Sequence, residues 1–173
     1  MSVRLTMNNT MNIDEVAALY GLGRAKGEDL VAVALRAMES GLKSDNLHCL
    51  AGLTTKPPLR DAGPVFEATL SEFGKRIPTG KEAALIVAKY HARKIISGKM
   101  SPADGVFAIA QLWEDADRSG IITPFVAMAD DLDETMTGYD QAEGNLKTKK
   151  ENELKELNEQ IFKATRRLLS DAV

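Results

Sequence analysis

The sequence predicts an all-α fold, an irregular bundle of seven or eight short helices with a longer C-terminal helix. Apolar residues recur at steps of three and four along most of the chain, and no run alternates between apolar and polar residues as a strand would. Only 5% of the residues are aromatic, which suits a bundle packed from small side chains. The 173 residues are enough for one domain with a hydrophobic core, so disorder is not expected.

Start and stop signals place the N-terminal helices. The first is predicted over residues 13–20, since two acidic residues stand near its start and two glycines follow it. A second spans about residues 28–40 and ends at a glycine, and a short apolar stretch covers residues 47–53. Three prolines then predict a loop over residues 54–64, because proline lacks a backbone donor and restricts the residue before it.

The middle of the chain has clear helix boundaries. An apolar stripe over residues 65–73 predicts a helix that ends near Gly74. Thr79 and Glu82 have the spacing of a capping box, in which each side chain satisfies the other residue's backbone N–H, and they introduce a helix over about residues 80–97.

A serine or threonine followed by proline opens two further helices. The first begins at Ser101 and carries apolar residues as far as Trp113. The second begins at Thr123 and covers residues 125–133. Residues 135–150 are polar and contain two glycines, so we expect a flexible linker there.

The last helix, over about residues 149–170, has apolar residues at alternating steps of three and four, which is a heptad seam. It either packs across the bundle or offers its seam to a second copy in a homodimer. We expect one helical domain over residues 1–145, with a C-terminal amphipathic helix over residues 146–173 that belongs to the same domain. The seam consists of Leu154, Leu157, Ile161, Ala164 and Leu168, and the homodimer would form through its three leucines and Ile161.

Composition excludes several classes of protein. A single cysteine cannot form an internal disulfide, which favours a reducing compartment. No stretch approaches the roughly 18 apolar residues that span a bilayer, and residues 1–12 lack the apolar region of a signal peptide. We therefore expect a cytoplasmic protein without a membrane partner, and the acidic net charge argues against nucleic acid as a partner.

The net charge of −3 conceals an uneven distribution. Residues 51–100 carry nine basic and four acidic side chains, whereas residues 101–145 carry one basic and ten acidic side chains. One interpretation is that these +5 and −9 segments neutralise each other within the bundle. The other is an acidic surface that binds a basic partner protein. The residues predicted to contact that partner are Glu114, Asp115, Asp117, Asp130, Asp131, Asp133 and Glu134.

Residues 115–126 resemble part of a calcium-binding loop. Oxygen-bearing side chains stand at loop positions 1, 3 and 5, beginning with Asp115, and Gly120 stands at position 6. Position 12, where such a loop needs a bidentate glutamate, is Val126. The alternative is structural, with exposed carboxylates at a helix end and Gly120 as the stop signal.

A metal or small-ligand site that includes His48, His91 and the Asp115 loop is a second alternative function. His48, Cys49 and His91 are the soft ligands besides methionine, and zinc needs three or four protein ligands. His48 and Cys49 are adjacent, however, so on a helix they point about 100° apart. We therefore expect His91 to be a partly buried, hydrogen-bonded histidine and Cys49 to be a small core residue, with no metal bound.

A helix-turn-helix regulator is a third alternative, because residues 15–22 look like the first helix and turn of that motif. The recognition helix would begin at Gly23, with Gly27 where an apolar residue is expected and two acidic residues facing phosphates. No catalytic triad, phosphate loop or dinucleotide motif is found, so we expect neither an enzyme nor a cofactor.

Two stretches carry a family resemblance. They read LHCLAGL over residues 47–53 and ARKIISGKMSPADG over residues 92–105, with a proline loop and a helix between them. Together they resemble a widespread group of small, helical, largely uncharacterised bacterial proteins, which is loosely similar to toxin-neutralising immunity proteins. The resemblance implies a helical fold, and no catalytic residues can be carried over from it. Ala103 departs from the pattern, which has a bulkier residue there.

Overall fold

Eight α-helices and no β-strand are found in the part of the chain that a computed structural model describes, residues 11–140 and 144–171. The predicted all-α class with a longer C-terminal helix is therefore confirmed. The prediction about a signal peptide falls almost entirely outside the described residues, as do residues 141–143 of the predicted linker.

Backbone contacts divide the chain into unit 1, Met1–Ile77, and unit 2, Pro78–Val173. The C-terminal helix predicted over residues 146–173 corresponds to the last helix, which begins at Asn145 and lies in unit 2. The helices of unit 1 are α1 (Ile13–Gly21), α2 (Gly27–Glu39), α3 (Asp45–Ala51) and α4 (Leu59–Glu72). Those of unit 2 are α5 (Gly80–Ile96), α6 (Pro102–Ala110), α7 (Thr123–Asp140) and α8 (Asn145–Ser170).

The core of unit 1 forms where the apolar stripes of α2, α3 and α4 meet. Leu30, Leu47 and Phe66 are completely buried in it. Burying each side chain of this size contributes about 1.5–3 kcal/mol. Packing therefore stabilises even α3, whose seven residues are too few for a stable isolated helix.

Side chains cap several helices as the sequence suggested, but not all of them. The Asn12 side chain accepts a hydrogen bond from the Glu15 N–H at 2.9 Å, and the Glu15 carboxylate accepts one from the Asn12 N–H at 2.8 Å. The Ser101 hydroxyl accepts from the N–H of residue 104 at 3.1 Å. Thr79 has the extended backbone of an N-cap, but its side chain makes no capping hydrogen bond, so the predicted capping box with Glu82 is wrong.

The predicted loop over residues 54–64 is too long, because α4 begins at Leu59 and contains Pro64. Proline within a helix usually clashes with the residue before it. Here that residue is Gly63, which has no Cβ to take part in the clash. A Cβ at Gly63 would also lie 2.7 Å from the Tyr20 hydroxyl, so the Tyr20 side chain of α1 packs closely against α4 at this point.

The helix predicted to reach Trp113 is shorter, since α6 ends at Ala110 and turns follow. The predicted linker over residues 135–150 is largely wrong, because α7 continues to Asp140 and α8 begins at Asn145. Contacts between the two helices support this polar stretch. Lys147 lies 5.0 Å from the centre of the Tyr139 ring.

The heptad seam of α8 is used inside unit 2. Leu157, Ile161 and Leu168 are buried, and Leu154 is half-buried. Helix α8 packs against α5, α6 and α7, so these side chains contribute to the core of unit 2. A homodimer through the seam, as the sequence suggested, would require this helix to leave its own unit.

Candidate functional site

The acidic residues of α7 lie on its solvent-exposed face. Phe125, Met128 and Leu132 are buried, and they recur at the spacing of a single helical face. Because each residue turns about 100° around the helix axis, the acidic residues between Met128 and Leu132 and directly after Leu132 point away from this buried face. Asp130, Asp131, Asp133 and Glu134 are all exposed. We call their side chains the α7 carboxylates.

The α7 carboxylates have no hydrogen-bond or ion-pair partner among the residues that the structure describes. Asp130 and Glu134 are four residues apart on one helix, so their like charges face each other. Such a pair costs about 0.2–0.5 kcal/mol of helix stability. Folding therefore does not explain why α7 carries these charges.

The three other predicted contact residues lie in the turns that follow α6. The Glu114 carboxylate is 3.4 Å from the Arg118 guanidinium, which also lies 5.4 Å from the centre of the Trp113 ring. Asp115 also interacts within the structure, whereas Asp117 is exposed. The predicted residues thus fall into two groups on different elements, and in the group after α6 at least Glu114 and Asp115 have partners of their own.

The calcium-loop interpretation finds no support in the local backbone. The left-handed conformation falls at Asp117 and Arg118, with φ of 53° and 52°, and not at Gly120 as the predicted stop signal requires. Val126, at position 12, lies inside α7. Within residues 11–140 and 144–171, no three or more His, Cys, Asp or Glu side chains are grouped so that they could hold a metal ion.

Two of the soft ligands, His48 and Cys49, lie on α3 of unit 1, and His91 lies on α5 of unit 2. His48 Nδ1 lies 2.6 Å from the Ser44 carbonyl oxygen, on the exposed side of α3. Cys49 is exposed, so its prediction as a core residue is wrong. Leu47 and Leu50 take the buried face of α3, and Cys49 between them must point elsewhere. His91 belongs to α5, where its half-buried ring packs 5.3 Å from the centre of the Tyr90 ring.

The helix-turn-helix interpretation requires a recognition helix that starts at Gly23. Helix α2 starts instead at Gly27, and residues 22–26 connect it to α1. A Cβ at Gly27 would lie 2.0 Å from the Pro57 carbonyl oxygen. Glycine is therefore needed at this position for packing within unit 1.

Sequence reasoning missed a groove between α7 and α8. Its apolar end has a volume of about 590 Å³, and Lys163 and Arg167 of α8 are among the residues that line it. Only the contact between the two helices creates this feature, although the small residues on both helices were visible in the sequence. The apolar residues that line it are Ile121, Pro124, Ala127, Met128 and Ala164.

A second cavity, of about 330 Å³, continues the groove and shares Asp131 and Gln160 with the apolar end. We call it the acidic end. The Lys150 ammonium lies 2.9 Å from the Glu153 carboxylate, and this hydrogen bond lowers the pKa of Glu153. The acidic side chains that line this end are Asp131, Glu134, Glu153 and Glu156.

None of the described helices is both long enough and apolar enough to cross a membrane. Comparisons of the chain with protein-family models, with curated proteins and with solved structures found no match. The resemblance to immunity-type proteins therefore stays a prediction, and function has to be inferred from the geometry of unit 2.

Proposed function

We propose that the protein is a non-enzymatic helical interaction module, of immunity or regulatory type, that binds a basic partner protein through the α7 carboxylates. One observation carries this proposal. Four exposed carboxylates stand between residues 130 and 134 without an ion-pair partner among the described residues. A basic partner would supply the ion-pair contacts that the described residues do not make with these carboxylates.

The physical consequence of this surface is electrostatic attraction. Exposed charges of one sign speed the encounter with an oppositely charged protein and disfavour acidic competitors. Because the α7 carboxylates are exposed, salt screens them, with a Debye length of about 8 Å at physiological ionic strength. Binding should therefore weaken as the salt concentration rises.

The test is capture of the partner from a lysate of the source organism, with identification by mass spectrometry. We expect the wild-type protein to retain a basic protein that a variant with all four α7 carboxylates neutralised does not retain. The control removes the same number of exposed carboxylates from other elements. It combines Glu39→Gln, Asp45→Asn, Asp61→Asn and Glu159→Gln.

Two results would contradict the proposal. Equal capture by the wild type and the α7 variant would show that these carboxylates do not bind the partner. Equal loss in the α7 variant and the control would show that total charge, and not this surface, determines capture.

A further inference from the structure

The groove between α7 and α8 changes in character along its length. Its apolar end includes Ala127 and Ala164, whose small side chains leave room for a ligand between the helices. The volume of about 590 Å³ lies within the usual range for binding pockets, roughly 300–1,000 Å³. A large apolar side chain in such a pocket is typical of the residues that dominate protein interfaces.

The acidic end would instead attract a positively charged side chain. Four carboxylates and the single ammonium of Lys150 line it, which leaves a net charge of −3. Lys150 already pairs with Glu153 at 2.9 Å, so the remaining carboxylates determine the charge that a ligand meets. Lysine or arginine is the complementary side chain.

Two basic residues that line the apolar end determine the orientation in which a ligand can bind. Lys163 and Arg167 stand four residues apart on α8, and the structure gives neither an ion-pair partner among its described residues. They would repel basic residues of a ligand from the apolar end. A ligand that is apolar at one end and basic at the other therefore fits the groove in one orientation only.

We propose that the groove binds a basic amphipathic segment of the partner, with a large apolar side chain in the apolar end and lysine or arginine against the acidic end. Because the two ends share Asp131 and Gln160, the apolar and basic residues of this segment lie close together along it. The inference rests on the proposed function and narrows it, because it assigns binding to Asp131 and Glu134 and not to Asp130 and Asp133.

The experiment uses a fluorescently labelled synthetic peptide of leucine and lysine with one tryptophan, and measures its binding to the full chain by anisotropy. Two double variants remove the same charge from the same helix. Asp131→Asn with Glu134→Gln changes residues that line the groove, whereas Asp130→Asn with Asp133→Asn changes residues outside its lining. We expect the first pair to weaken binding about tenfold, as for a loss of about 1.4 kcal/mol, and the second less than about twofold.

A third variant tests the apolar end. Ala164→Trp should fill it and weaken binding about tenfold. Asn152→Trp adds the same side chain at an exposed position of α8 outside the groove, and it should leave binding unchanged. Far-ultraviolet circular dichroism confirms that each variant is folded. A matched peptide with glutamate in place of lysine should bind at least about tenfold more weakly than the lysine peptide.

The outcomes separate the two proposals. Equal weakening by the two double variants would overturn the groove and leave the acidic surface of α7 as the binding site. Unchanged binding in both would overturn the groove and the proposed function together. An Ala164→Trp protein that binds as the wild type does, or equal binding of the glutamate peptide, would also overturn the groove.

Discussion

Thr69 in unit 1 and Thr165 in unit 2 occupy similar places, since both are completely buried and both lie within a helix. Their hydroxyl groups differ. Thr69 Oγ1 donates a hydrogen bond to the Val65 carbonyl oxygen at 2.8 Å. Thr165 Oγ1 has no hydrogen-bond partner in the described part of the chain. Unit 1 provides a hydrogen-bond acceptor for its buried threonine hydroxyl, whereas the described part of unit 2 provides none.

Two carboxylates of unit 1 differ from the α7 carboxylates of unit 2 in the same way. In unit 1 the Asp14 carboxylate lies 2.6 Å from the Lys75 ammonium, and the Tyr20 hydroxyl donates to Glu67 at 2.6 Å. In unit 2 the α7 carboxylates have no such partners among the described residues. These two carboxylates of unit 1 thus serve its own structure, whereas those of α7 are available to another molecule.

The largest expected effect is a loss of stability without a loss of peptide binding. Phe66→Ala in unit 1 should reduce the free energy of unfolding by about 3–5 kcal/mol, because Phe66 is completely buried. Urea denaturation measures this loss. At low temperature, where the variant is still folded, its affinity for the leucine–lysine peptide should match the wild type. Phe125→Ala, near the start of α7, should lower both the free energy of unfolding and the affinity for the peptide. Equal affinities of the Phe66→Ala and Phe125→Ala variants would contradict the assignment of binding to unit 2.

The second prediction concerns the two buried threonines. Thr165→Val should increase the free energy of unfolding by about 1 kcal/mol, because it removes a buried hydroxyl without a partner and keeps the shape. Thr69→Val should instead decrease it by about 0.5–1.5 kcal/mol, since a formed hydrogen bond is lost. Thermal and urea denaturation measure both. If both variants changed the free energy of unfolding in the same direction, this difference between the two buried hydroxyls would be contradicted.

The third prediction concerns the titration of Tyr20. Its hydrogen bond to Glu67, its partial burial and the negative charge of Glu67 raise the pKa of Tyr20 from 10.0 to about 12. A raised folded-state pKa means that this contribution to stability is complete below about pH 10 and is lost as the pH rises through about 12. The absorbance of tyrosinate measures the titration. Glu67→Gln should shift it to lower pH, and Tyr139→Phe should leave this late phase in place.

The smallest effect is expected on α7 itself. Asp130→Asn should leave stability unchanged or increase it by about 0.2–0.5 kcal/mol, since it relieves the repulsion with Glu134. Asp14→Asn, which breaks the ion pair with Lys75 at the start of α1, should decrease stability by about 0.3–1 kcal/mol. Chemical denaturation at low salt distinguishes the two. A loss of stability in Asp130→Asn would show that this carboxylate serves the fold.

Local sequence was a good guide to where most helices begin and end. The apolar period of α2 and the serine-proline start of α6 are properties of neighbouring residues, and these signals act wherever the segment lies. The same reasoning failed for residues 59–64, because Gly63 before Pro64 and the contact with Tyr20 allow a helix there. It also failed for the predicted linker, where contacts between α7 and α8 support a polar helix.

Part of the candidate site could also be predicted from the sequence, and part could not. The acidic residues of α7 could be found from charge alone, and their exposure follows from the helical period of Phe125, Met128 and Leu132. The groove could not be found, because Glu153 and Glu156 lie in a different helix and meet Asp131 only through packing. The Glu114–Arg118 pair follows the local spacing of four residues, whereas only the packed structure shows that no distant side chain pairs with the α7 carboxylates among the described residues.

The sequence by itself determined the all-α class, most helix boundaries and the placement of acidic charge on α7, because these depend on residues within one or two helical turns of each other. The tertiary structure decided how α8 uses its seam, whether side chains of other helices pair with the α7 carboxylates, and where a cavity opens. These depend on pairs of side chains from distant segments, whose distances are set when the helices pack.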